Sequence, residues 1–340
     1  MNEPWLAVDP ARSFRWLDAE RTIVFGRDAL AHAAELIGPD CTLLTTPRAL
    51  EAAPALAHHA QAVLHVGSGR VDELASALRN HITTELLVAL GGGRVIDTAK
   101  ALAAADPPRR VAAIPTTLSG AEMTGVHRHA AGVRAETPRV RPAIVLNDPQ
   151  LSASQPPAEL ARSAANALGH AAEAMLTPLA NPVATLAALQ AARLIAEAFD
   201  SPSTTPQTHK DTLALAALLA GYAIGSAGYG LHHVAAQTLA RFAEVSHGAA
   251  NAVLLPYSLT ALQRRFPDRI ADLGRAVGGD PIALATRLAR LGASSSLHEL
   301  GVPEPQLTRL AQEAAARSEL HLTPPAADEE ELRMLYGAAY

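Results

Sequence analysis

The feature that most constrains this chain is a change of rhythm near residue 150. Up to that point, short apolar runs (RTIVFG, CTLLTT, AVLHVG, ELLVALGGG, VAAIPTT, AIVLND) alternate with stretches of helical spacing (DALAHAAELIG, PRALEAAPALAHHA, ELASALRN, VIDTAKALAAA). Strands that take turns with helices build a parallel sheet covered on both faces. Beyond that point, Ala/Leu-rich stretches of helical spacing follow one another, broken near SPSTTPQ, GYAIGSAGYG, AVGGDP and LHLTPP. That half reads as all-helical. The expected organisation is an α/β domain over residues 1–150 and an all-helical domain over 151–340, joined near LNDPQLSASQPP, with a ligand cleft between them. Ser201 to His209 reads as a surface loop, because Pro, Ser and Thr bury too little apolar area to order themselves.

A chain of 340 residues with 49% hydrophobic content has enough apolar side chains for two cores. The net charge is −5 and the two signs are interspersed, so no face is built to hold a polyanion and nucleic acid is not an expected partner. Cys41 is the single cysteine. It excludes an internal disulfide framework and Cys-rich metal sites, and it suits a reducing cytoplasm. MNEPWLAVDP lacks a basic stretch followed by an apolar run, and no unbroken apolar segment reaches the roughly 20 residues of a membrane helix. The expectation is a soluble, unprocessed, cytoplasmic protein with no membrane partner.

Two stretches of the first half carry chemistry. ELLVALGGGRVIDTAKALA reads as a buried strand, a glycine turn and a helix. Gly91, Gly92 and Gly93 let backbone amides approach a phosphate, and the following helix start favours negative charge. Arg94, Asp97 and Lys100, one of two lysines in the chain, add charged groups to this candidate pyrophosphate cradle. AIPTTLSGAEMTG places Thr116, Thr117 and Ser119 after another strand end, where an open α/β sheet binds its ligand. The same hydroxyls also read as a helix N-cap cluster.

In the second half the histidines cluster. SAANALGHAAEAM sets Asn166 and His170 one helical turn apart with Glu173 beyond. GLHHVAAQ holds His232 and His233, and VSHGAANA holds His247. Imidazole is the commonest ligand for zinc and iron, so three such segments suggest a metal wall, or a substrate wall of the same residues. A divalent ion also calls for a carboxylate, yet Asn stands where one turn before His170 would supply it. Glu173 reads as a cap, an arginine partner or a group that orients His170.

Taken in order, GGGRVIDTAK, IPTTLSGAEMT, NDPQLSASQPP, NALGHAAEA, GLHH and SHGAANAVLLPY resemble the iron-containing alcohol dehydrogenase superfamily, and within it the maleylacetate reductases. The resemblance implies an N-terminal dinucleotide-binding α/β domain, an all-α C-terminal domain and a homodimer. It places NAD or NADP against Gly91, Gly92 and Gly93, with Arg94, Asp97 and Lys100 beside them and Thr116, Thr117 and Ser119 lining the cofactor. At the adenosine end it puts TTPR, including Thr46 and Arg48, where many relatives carry an NAD-favouring Asp, so Arg48 is available to a 2′-phosphate. The metal ligands of the superfamily, an Asp and three histidines, fall on Asn166, His170, His233 and His247. Maleylacetate reductases share the Asn and the GLHH pair and are regarded as metal-free. The implied activity is NAD(P)H-dependent, metal-independent reduction of a small carbonyl or enone substrate, with or without a carboxylate. His233 and His170 then supply a proton and charge, His232 and His247 support them, and Asn166 hydrogen-bonds the substrate. The chain departs from that subfamily at Arg94, Leu118, Ala121, Gln237, Ala240 and Arg241, where Ser, Tyr, Ser, His and a Gly pair are usual. Two proton donors are thereby lost, which keeps three other readings open: a lyase, cyclase or isomerase on the same scaffold, a metal-dependent alcohol dehydrogenase, and a non-catalytic binding subunit.

Overall fold

A computed structural model describes residues 8–200, 206–293 and 295–340. The stretches MNEPWLA and SPSTT, on which the expectations of an unprocessed N-terminus and of a surface loop rest, lie outside the described residues. The chain divides into two compact units, residues 1–154 with 203–215, and residues 155–202 with 216–340.

The first unit is built on seven strands: β1 Phe14–Asp18, β2 Arg21–Phe25, β3 Cys41–Thr45, β4 Ala62–His65, β5 Leu86–Gly91, β6 Arg110–Pro115 and β7 Ile144–Asn147. Their order across the sheet is β1-β2-β7-β6-β5-β3-β4. All neighbours are parallel except β1 and β2, which form an antiparallel edge. Alternate residues feed the two faces, as the two-residue period of a strand requires. Leu87 and Ala89 pack with Val95, Ile96 and Ala99 on one side, whereas Val88 and Leu90 pack with Ala29, Ala33 and Ala49 on the other. Both faces are apolar, which is why the central strands read as unbroken hydrophobic runs.

Helices α1 Ala33–Leu36, α2 Pro47–Ala52, α3 Val71–Leu78, α4 Gly93–Ala105 and α5 Pro149–Ser152 complete this unit. Two of the expected helices are shorter than their spacing suggests. DALAHAAELIG gives a 3-10 turn, Ala29–His32, and the single turn of α1. PRALEAAPALAHHA is cut at Pro54, which bars the helical conformation for the residue before it, and a 3-10 turn follows over Pro54–His59. Strand β1 had no counterpart in the sequence reading.

The second unit is helical, as expected: α6 Pro157–Ala174, α7 Pro182–Asp200, α8 Pro206–Ala227, α9 Leu231–Phe242, α10 His247–Arg265, α11 Pro267–Val277, α12 Pro281–Leu291, α13 Gln306–Ala315 and α14 Glu329–Ala338. Residues 206–209, expected in a loop, open α8, whose start groups with the first unit, where Asp211 pairs with Arg27. One described helix, α7, has the length and mean hydropathy of a membrane span, although Gln190, Arg193 and Glu197 interrupt its apolar run. Its buried residues, among them Ala188, Leu194 and Ile195, face α6 and α11.

Candidate functional site

In the first unit the strand order reverses between β3 and β5: the chain passes outward from β3 to β4 and then returns to β5, β6 and β7. The crevice outside the carboxyl ends at such a reversal is where open α/β sheets take their ligands. Thr45 pairs with Leu90 across that point, so Thr46 and Gly91 to Gly93 leave the sheet side by side. Helix α4 starts at Gly93 with Gly92 as its cap, and the first amides of the helix have no carbonyl one turn behind them. A Cβ at Gly92 would stand 2.9 Å from Thr117 Cγ2, and one at Gly93 3.2 Å from the Ser119 hydroxyl. Glycine therefore brings the hydroxyl loop directly against the helix start. No helix follows Thr116, Thr117 and Ser119, so these hydroxyls are not an N-cap cluster. Arg94 projects outward, exposed, as the second residue of α4.

Lys100 does not join this cradle. Its side chain is fully buried, and Nζ donates to the carbonyls of Ala121 at 2.9 Å, Thr124 at 3.1 Å and Val126 at 2.8 Å, beside Asp97 at 2.8 Å. Three N–H bonds are all an ammonium has, so Lys100 and Asp97 staple the loop over 121–126 to α4. At the end of β3, the Thr46 hydroxyl caps α2 by accepting the Ala49 N–H at 3.2 Å. Arg48 is exposed one residue inside that helix and donates to the Ser154 carbonyl at 3.4 Å.

In the second unit Asn166, His170 and Glu173 share a face of α6, and His232 and His233 open α9. The two helices approach closely at Gly169, where a Cβ would stand 2.8 Å from the His232 ring. His170 and His233 stack, with ring centroids 4.6 Å apart and planes 18° from parallel, and His232 meets His233 edge-on at 4.9 Å. Glu173 orients His233, and not His170 as its place in the sequence suggests. Its Oε2 lies 2.6 Å from His233 Nδ1 and accepts the His233 N–H at 3.2 Å, while Oε1 accepts the His232 N–H at 2.7 Å. The carboxylate thus also caps α9, where a helix start favours negative charge. His247 stands exposed at the first turn of α10. Four buried atoms of this cluster have no hydrogen-bond partner: Asn166 Oδ1, His170 Nδ1, His232 Nε2 and His233 Nε2.

A further polar group adjoins it. Gln237, four residues after His233 on α9, accepts from Arg317 Nη2 at 2.9 Å. Arg317 is paired with Glu319 at 2.6 Å, and the Tyr229 hydroxyl, 3.2 Å from the same carboxylate, belongs to a ring 5.9 Å from that of His233. Tyr229, Arg317 and Glu319 escaped the sequence reading. Gln237 was marked only as a departure.

Comparison with known proteins places this geometry. Residues 20–149 match iron-containing alcohol dehydrogenase, and residues 160–340 match the C-terminal part of the Fe-containing alcohol dehydrogenase family. The chain belongs to the iron-containing alcohol dehydrogenase family. It is accordingly an NAD(P)-dependent oxidoreductase. It is 35% identical to the maleylacetate reductase of Rhizobium sp. (strain MTP-10005) over 68% of each chain. It is 30% identical to that of Pseudomonas aeruginosa over 94% of this chain and 95% of the other. The crystal structure of the Rhizobium enzyme superposes with a TM-score of 0.81 at 28% identity, covering 97% of this chain and 98% of that one.

The residues that the resemblance places at a metal, Asn166, His170, His233 and His247, lack the carboxylate that a divalent ion calls for. Asn166 brings no carboxylate, and Glu173 has spent both oxygens at α9. Among the described residues no group of three or more His, Cys, Asp or Glu is arranged to hold a metal.

The electrostatics of the cluster oppose a charge on its histidines. Burial and mutual repulsion hold His170 well below the ordinary imidazole value, and burial pushes His232 and His233 down to about 3. Burial therefore favours the neutral form of all three imidazoles. Burial raises the Glu173 carboxyl, against the pull of His232 and of the N–H groups at the start of α9. With Nδ1–H directed at Glu173, His233 presents the lone pair of Nε2.

Proposed function

We propose that this chain is an NAD(P)H-dependent, metal-independent reductase of a small carbonyl or enone substrate, similar to the maleylacetate reductases. The observation that carries the reading is the set of buried polar atoms on α6 and α9 left without partners, Asn166 Oδ1, His170 Nδ1 and His233 Nε2. Leaving such groups unpaired costs about 1–3 kcal/mol each, so a small polar ligand that satisfies them is held there. Asn166, which brings no carboxylate, supports the metal-independent reading over the metal-dependent one. The non-redox and non-catalytic readings gain nothing from the relatives.

When bound, NAD(P)H supplies the hydride. Gly91, Gly92, Gly93 and Arg94, with the Thr116, Thr117 and Ser119 hydroxyls, would hold its pyrophosphate. Thr46 and Arg48 would stand at the adenosine end, where no carboxylate opposes a 2′-phosphate. Asn166 and His170 orient the substrate oxygen. His233 takes up a proton at Nε2 and passes it to the substrate; burial opposes that uptake and the Glu173 carboxylate supports it. His232 braces His233 from within, through its own contact with the Ser258 hydroxyl at 3.1 Å. In this reading the enzyme works in the cytoplasm as a homodimer.

Calorimetric titration of the purified protein with NADH and NADPH tests the proposal, followed by NAD(P)H oxidation with a panel of carbonyl substrates and metal analysis. Binding of at least one nucleotide, turnover unaffected by a chelator, and iron and zinc far below one per chain are expected. No heat with either nucleotide would sink the reductase reading, and loss of turnover on chelation its metal-independent part.

A further inference from the structure

An acidic substrate is held best by a permanent cation, and the wall formed by Asn166, His170 and His233 includes no lysine or arginine. A cation stands one helical turn away. Gln237 follows His233 by four residues, hence on the same face of α9 and about 6 Å further along its axis. Its Oε1 accepts from Arg317 Nη2 at 2.9 Å, and the Tyr229 hydroxyl lies 3.4 Å from the same nitrogen. Glu319 holds the Nε and Nη2 side of the guanidinium, at 3.2 Å and 2.6 Å. This leaves Nη1, whose two N–H groups have no partner among the described residues, on a side chain still 24% exposed. Three other arginines of this unit are committed elsewhere, Arg162 to the Gly292 and Ala293 carbonyls, Arg265 to Glu331 and Arg287 to Asp200.

We propose that Arg317 is the substrate-selecting residue of this site and that it holds the carboxylate of a short oxo or enoyl acid. The plane of a guanidinium matches that of a carboxylate, and a guanidinium held at Nε and Nη2 is already oriented to present Nη1 to an anion. Glu319 and Gln237 do that holding. The spacing along α9 sets the length of the acid, with roughly three to four bonds between its carboxylate and the carbon that reacts beside His233. The assignment of that carbon rests on the reductase reading; the anion contact itself does not.

The test compares the wild type with Arg317→Met and Arg317→Lys. Calorimetry with succinate, an unreactive dicarboxylate, reads the anion contact without turnover, and NAD(P)H titration of each variant confirms an intact fold. Steady-state kinetics with a 4-oxo acid and with its methyl ester read selection. Succinate binding at least tenfold weaker in Arg317→Met is expected, with the KM for the acid raised about thirtyfold and its kcat within threefold. The ester should be unaffected, and Arg317→Lys should recover part of the loss. Succinate that does not bind the wild type, or equal losses for acid and ester, would overturn the proposal. Wild type that reduces neither acid nor ester counts against the reductase reading alone, because the succinate titration still decides the role of Arg317.

Discussion

Both oxygens of Glu173 are committed at the start of α9, one to the His232 N–H and the other to the N–H and ring of His233. An isosteric amide keeps the shape and removes the match, because a Gln Nε2 facing Nδ1–H sets donor against donor. Glu173→Gln should therefore flip the His233 tautomer and lower kcat/KM about 100-fold, the lower end of what a positioned acid-base group contributes. Nitrogen-15 NMR of labelled histidine reads the tautomer directly, and an unchanged spectrum with unchanged rates would remove Glu173 from the mechanism. The sequence displayed Asn166, His170, Glu173 and the histidine pair plainly, because helical spacing puts them on common faces. It could not say which imidazole Glu173 faces, since that depends on where α9 crosses α6. Arg317 was invisible for the same reason: it meets Gln237 across 80 residues of chain.

The crossing of α6 and α9 is set by what Gly169 lacks. Ala at this position gains about 1 kcal/mol of helix propensity, yet its methyl would meet the His232 ring at 2.8 Å in a fully buried layer. Overpacking of that kind costs about 1–3 kcal/mol, so Gly169→Ala should lower the denaturation midpoint and disturb the His170–His233 stack. An unchanged midpoint in urea would mean that the two helices separate freely. At this scale the parallel strands were legible because burial on both faces makes them unbroken apolar runs. Strand β1 was not. Its residues alternate between half-buried and exposed, and its turn at Ala19, φ 53°, carries neither the Gly nor the Asn that usually marks a hairpin. Lys100 misled in the opposite way. Its local setting beside a glycine turn suggested phosphate, whereas the carbonyls that hold it arrive from a loop more than 20 residues later.

Across the whole molecule, buried titratable groups shape stability against pH. Burial lifts the Glu122 carboxyl to about 7, above its ordinary value of 4.5. The folded state therefore holds a proton that the unfolded state has released, and stability present below about pH 4.5 is lost as the pH rises through 7. A shift of this size corresponds to roughly 3 kcal/mol. His127, pushed down to about 4 chiefly by burial, acts at the other end: its contribution is present above about pH 6.5 and is lost as the pH falls toward 4. Urea denaturation of wild type and Glu122→Gln between pH 5 and 8 should show the stability difference moving by about that amount in favour of the variant. Parallel profiles would show that Glu122 does not titrate in the folded protein. The lysine beside this carboxyl has a practical use. The sequence contains only two lysines, Lys100 and the half-buried Lys210. With every donor of Lys100 occupied inside the first unit, an acylating reagent meets Lys210 on the native fold and reaches Lys100 only when that unit opens. The chain thus carries a built-in chemical clock for its own α/β half.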